Sequence, residues 1–310
     1  MATTKAKTKS RAKKPSSSAA KTTSKKPAAK AAIIASPKKP KIISRIFCRK
    51  FDNKAENILT IFHSPKIIGA LLAELIGVMI ISMVLLATGS FSNYFDAQLV
   101  GLVILGVSLA VFAVSGANLN PIITIGLMAT RRIAPIRGVL YIIAQILGAW
   151  VGYVIVGAFA GYDPELGTTL PTMITLATSV EEGTANFWPI TLLEFLGAAV
   201  IGFFFVRALV YKRSAFTFAV LVAGGYYVAF TLGLYITAGF MGLQEHGYIY
   251  NPAVAIMYQI LPTTGVDFGD LMAKIGLALA TFVLAPTVGA TIGFYLSDVS
   301  SAISDTPTEL

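Results

Sequence analysis

A chain of 310 residues with 55% hydrophobic and 13% charged residues, and a mean hydropathy of +0.73, lies outside the range of water-soluble globular domains and has the composition of a membrane protein. The formal charge of +10 belongs to one end: residues 1–50 hold 13 Lys and 3 Arg and no acid, leaving 9 bases against 15 acids in the remainder. A single cysteine, Cys48, excludes an intramolecular disulfide, and no spacing of ligating residues suggests a metal, a cofactor or a phosphate loop, so an enzyme is not expected.

Residues 1–60 form a Lys-rich tail whose first 44 positions repeat Lys, Ala, Ser, Thr and Pro, a composition expected to stay disordered because too little apolar surface offsets the ordering entropy. The tail is expected to attract anionic lipid. Residues 1–44 contain no aromatic side chain, so base stacking and nucleic-acid binding are not expected. Six continuous apolar runs follow at 66–89, 98–115, 138–160, 188–206, 215–236 and 271–296, each long enough to cross a bilayer as a helix. A transmembrane barrel would show alternating segments of about ten residues instead. The membrane domain is placed at 61–298 and a short tail at 299–310.

Bases mark one side of the membrane. Lys54 and Lys66 precede the first run, Arg131, Arg132 and Arg137 follow the second, and Arg207, Lys212 and Arg213 follow the fourth. The other connections carry acids, among them Asp96, Asp163, Glu165, Glu181, Glu182, Glu245 and Asp267. The positive-inside rule then puts both termini in the cytoplasm of a multi-pass protein of the cell membrane.

Two short apolar segments open with Asn-Pro: "NLNPIITIGLMATRR" after the second run and "YIYNPAVAIMYQILP" after the fifth. Asn favours the N-cap of a helix and Pro its first turn, so each segment reads as a half-helix. Three runs separate the two, which makes them enter from opposite sides, as in an inverted repeat with a midplane site built from broken helices. The fold class is an all-α membrane protein of six transmembrane helices plus two re-entrant half-helices. The half-helix tips, Asn120, Pro121 and Ile122 on one side and Asn251, Pro252 and Ala253 on the other, would bring two positive dipole ends and two amide donors together. That point passes a neutral hydrogen-bonding solute and opposes a cation.

In this order, "AEL" with Glu74, "SGANLNP", "YIIAQILGAW" with Gln145, "LLEFLGA" with Glu194, "NPA" at 251–253 and "APTVGATIGFY" make the chain resemble the aquaporin and glycerol-facilitator family, the major intrinsic proteins. The resemblance implies one pore per subunit and a homotetramer, with Glu74 and Glu194 holding free backbone N–H groups of the half-helix loops. A proton relay through these two acids is disfavoured by the lack of His or Lys in the spans nearby. Gly148 and Gly152, and Gly289 and Gly293, form two faces of small residues suited to close helix approach.

The chain departs from the family pattern at three places. Ile122 replaces the first Ala, Asn118 stands where His is common, and Val254 stands where the outer filter carries Arg. No Lys or Arg occurs at 67–130, 138–206 or 214–273, and His246 is the one ionisable nitrogen in the outward loops. The outer filter expected by resemblance comprises Val100, Tyr248, Val254 and an aromatic of the fifth span, Tyr227 or Phe230. The expected function is passive passage of water or small uncharged solutes such as glycerol through a lipid bilayer. A cation-leaky or gated channel, drawn from the acidic loops, and a non-conducting scaffold with a basic tail are the alternatives.

Overall fold

A computed structural model of the chain describes residues 65–87, 94–159, 187–211, 214–236, 248–259 and 275–303. The basic tail of residues 1–60, the loop acids at 163, 165, 181, 182, 245 and 267, and His246 lie outside the described residues.

The elements run α1 (Pro65–Ala87), α2 (Tyr94–Ser115), α3 (Pro121–Ala129), α4 (Pro135–Phe159), α5 (Phe187–Val210), α6 (Ala215–Ile236), α7 (Pro252–Gln259) and α8 (Ile275–Ile303). Six of them, all but α3 and α7, are long and apolar enough to cross a membrane. At 9 and 8 residues, α3 and α7 reach roughly 13 Å, under half of a bilayer core. All regular structure among the described residues is helical.

Every span is apolar around its whole circumference, so which face turns inward is decided by the few polar and small residues. In α1 the bulky Ile68, Leu72, Ile76 and Ile80 recur every fourth position and are exposed, the stripe a lipid environment accepts, while Glu74 and Ser82 are buried. The same logic sets the helix pairs. Gly148 and Gly152 of α4 lie against the carbonyl oxygens of Leu75 and Met79 in α1, and a Cβ at either would collide with them. Gly289 and Gly293 of α8 lie in the same way against the carbonyls of Phe195 and Ala199 in α5. Leu75 and Phe195 each follow a buried glutamate, Glu74 and Glu194, so the two halves repeat residue by residue. The half-helices are exchanged between halves: α3 packs against α8 and α7 against α4.

The last helix corrects the boundary read from hydropathy. The apolar run stops at 296, yet α8 continues to Ile303, so 299–303 belong to the helix and not to a tail. Its polar final turns are held from other elements: Arg207 donates to Ser300 and Ser301, both at 2.9 Å, and Arg132 pairs with Asp298. Near its start α8 carries a wide turn at Ala280–Leu284, with Ala285 N–H donating to Ala280 O. This turn ends two residues before Pro286, whose ring and missing N–H are incompatible with a regular helical turn.

Candidate functional site at the half-helix tips

Asn120 and Asn251 each begin a half-helix. Asn120 Oδ1 accepts from Ile122 N–H at 3.0 Å and Asn251 Oδ1 from Ala253 N–H at 3.1 Å, while the Asn carbonyls accept the next two amides, Ile123 and Thr124 on one side and Val254 and Ala255 on the other. Pro121 and Pro252 fill the first helical position, where no N–H is needed.

The two tips bind each other. Asn120 Nδ2 donates to Tyr250 O at 2.6 Å and Asn251 Nδ2 to Leu119 O at 3.2 Å, so each amide reaches the carbonyl just before the other asparagine. Leu119 and Tyr250 have left-handed backbones, φ 55° and 47°, a conformation that costs a bulky residue roughly 1–2 kcal/mol. It turns two successive N–H groups the same way, toward one anion.

That anion is a buried carboxylate. Glu74 accepts from Asn118 N–H at 3.0 Å and Leu119 N–H at 2.6 Å; Glu194 accepts from Ile249 N–H at 2.8 Å and Tyr250 N–H at 3.1 Å. Both acids have no exposed surface. Each is placed by its helix opposite the loop it holds, and three residues on a glycine makes room: a Cβ at Gly77 would strike Leu119, and one at Gly197 would strike the Tyr250 ring. Gln145 adds a bond in the first half only, donating to Glu74 at 2.8 Å and to Thr124 Oγ1 at 3.0 Å.

The aromatic residues divide. Tyr248 is buried and stacked on Tyr250, centroids 5.7 Å apart, and Phe230 meets Tyr250 edge-on at 5.0 Å. Val100 is buried in α2 and Val254 in the first turn of α7. Tyr227 is a correction to the expectation from sequence: it is 40% exposed and lines an outward groove of about 400 Å³ with Gly101, Leu105, Val220 and Gly224, between α2 and α6. Its neighbour Tyr226 points inward and accepts a hydrogen bond from Asn120 Nδ2 at 2.8 Å. Residues 226, 230 and 233 share one helical face, and 227 is turned about 100° from it. Tyr226 was not among the expected residues, since the fifth-span aromatic expected from sequence was Tyr227 or Phe230 and the hydropathy of an all-apolar span carries no mark of which face turns inward. The spacing of Tyr226, Phe230 and Gly233 was the available signal.

The sequence model of the major intrinsic protein family matches residues 61–296. The chain belongs to that family. This major intrinsic protein is 32% identical over 165 residues to aquaporin PIP2-7 of Musa acuminata, a match covering 47% of the chain and 54% of that relative. It is 40% identical over 65 residues to aquaporin-1 of Ovis aries, covering 19% of the chain and 24% of the relative. The matches span about half or less of the length of these relatives. Among solved structures, the aquaglyceroporin from Plasmodium falciparum superimposes with a TM-score of 0.53 at 16% identity, over 78% of this chain and 98% of that one, a likeness of fold. The six apolar spans and the family together make it an integral multi-pass membrane protein.

Proposed function

We propose that this major intrinsic protein is a passive channel for water or small uncharged solutes, with the pathway crossing between the tips of α3 and α7. The observation that carries the reading is the reciprocal pairing of Asn120 and Asn251 with Tyr250 O and Leu119 O, which joins two helix N-termini at one point. Each N-terminus contributes roughly half a positive charge. Protons and metal cations meet a barrier there, and a neutral solute that accepts hydrogen bonds does not. The names of the relatives, aquaporin and aquaglyceroporin, support the same class of solute.

In this reading Glu74 and Glu194 are positioning residues that aim the loops, and Val100, Phe230, Tyr248 and Val254 are the outer filter. Such a filter holds no cation, so it is wider and less demanding of hydrogen-bond geometry than one built on arginine. Arg131, Arg132, Arg137 and Arg207 mark the cytoplasmic side, the lipid-facing stripes meet the bilayer or neighbouring copies in a tetramer, and the basic tail meets anionic lipid.

The test is stopped-flow light scattering of reconstituted vesicles. Shrinkage in an impermeant osmolyte faster than in protein-free vesicles is expected, with no sodium or potassium current across a planar bilayer. A cation current would transfer the protein to the leaky-channel class.

A further inference from the structure

We infer that Tyr226 is the stopper of the crossing point, the residue that sets how fast and how large a solute passes. The inference rests on the channel reading and identifies what regulates it.

An asparagine amide has two protons. At each tip one is spent on the carbonyl of the opposite loop. The second is what a crossing solute has to use. On Asn251 this proton has no partner among the described residues. On Asn120 it is taken by the Tyr226 phenol at 2.8 Å, so a side chain of the protein stands where a solute's oxygen would stand. Tyr226 is 4% exposed and Asn120 fully buried, so the pair is sealed within the bundle.

The backbone drives the ring inward. Gly225 lets α6 approach α5 so closely that a Cβ there would come within 2.6 Å of Phe204 Cβ. The next side chain, on the inner face, is then carried to the half-helix tips. The fully buried Ile122 lies in the first turn of α3, its N–H donating to Oδ1 of the same Asn120 side chain. The tyrosine hydroxyl thus reaches the amide at the point where the two N-termini meet. The phenol oxygen also changes the chemistry of that point: instead of two free amide donors it offers one amide and one hydroxyl, and a solute gains the Asn120 donor only by displacing the ring.

Vesicles carrying the wild type, Tyr226→Phe, Tyr226→Val and Tyr227→Val separate the possibilities. Tyr226→Phe keeps the ring and deletes the bond to Asn120; water flux is expected to rise about fivefold, the equivalent of one net hydrogen bond. Tyr226→Val removes the ring, and a larger rise is expected, with glycerol entry that the wild type does not show. Tyr227→Val, one residue away on the outward groove, is expected to match the wild type. Conduction by the wild type with no increase in either Tyr226 variant overturns the inference and leaves the channel reading in place. No neutral-solute flux in any of the four proteins, all monodisperse and equally helical, overturns the channel reading and this inference with it. Should Tyr226→Val fail to fold, Tyr226→Phe, which preserves the packing, decides alone.

Discussion

Glu74 and Glu194 show why a carboxylate sits inside a membrane domain. Each accepts two backbone amides that neither a half-helix nor a span can satisfy, and unpaired amides in an apolar layer cost several kcal/mol. Replacing Glu74 by Gln puts an amide N–H against a backbone N–H, and a loss of about 2 kcal/mol is expected in denaturant titration of the detergent-solubilised protein. Gln145→Leu removes the bonds to Glu74 and Thr124 Oγ1 and leaves both loop amides paired, so a loss of about 1 kcal/mol, smaller than that of Glu74→Gln, is expected. Equal losses would show that the carboxylate does not hold the loop. The capping chemistry of Asn120 and Asn251 is local and legible from the dipeptide itself. Their amide partners, 130 and 132 residues away in sequence, are not.

The helix pairs depend on backbone contact. A glycine in the interior of a helix ordinarily costs about 1 kcal/mol relative to alanine. At Gly148 and Gly289 that preference is expected to reverse, because the new Cβ meets the carbonyl of Leu75 or Phe195 and forces α4 from α1 or α8 from α5. Gly148→Ala and Gly289→Ala are expected to destabilise by about 1–3 kcal/mol. Gly106→Ala, where nothing lies within 4 Å of the added carbon, is expected to stabilise by up to about 1 kcal/mol. Thermal unfolding of the three variants in one detergent checks the sign at each position. Small-residue spacing in the sequence marked these faces, but which helix meets each face follows only from the packed bundle. The wide turn of α8 was not legible, since a proline in an apolar run fits a kink, a bulge or a helix start equally well.

For the molecule as a whole, the inverted repeat is close in backbone and broken in chemistry. The offset that relates Gly148 to Gly289 relates Gln145 to Pro286, and the one that relates Asn120 to Asn251 relates Thr124 to Ala255. The first loop therefore has a Glu74–Gln145–Thr124 network, and the second has Glu194 with its two amides and a widened helix beside it. Tyr226 adds a further asymmetry by engaging one asparagine and not the other. The outer filter is testable at this scale. In the Tyr226→Val background, Val254→Arg is expected to lower glycerol flux more than water flux, because a fixed charge and five donors narrow the mouth and impose geometry. An unchanged ratio would remove residue 254 from the filter.

By itself the sequence determined the membrane class, the six spans, the paired half-helices and the family. These rest on signals contained within about twenty residues: a continuous apolar run, a dipeptide that caps, a glycine spacing. Only the tertiary structure decided that Tyr226 and not Tyr227 faces Asn120, that the two asparagines bind each other's loops, and that α8 runs on to Ile303. The reason is physical. In lipid every face of a span is apolar, so hydropathy carries no record of its rotation, and a turn of about 100° between neighbouring residues separates the interior of the bundle from its outer surface.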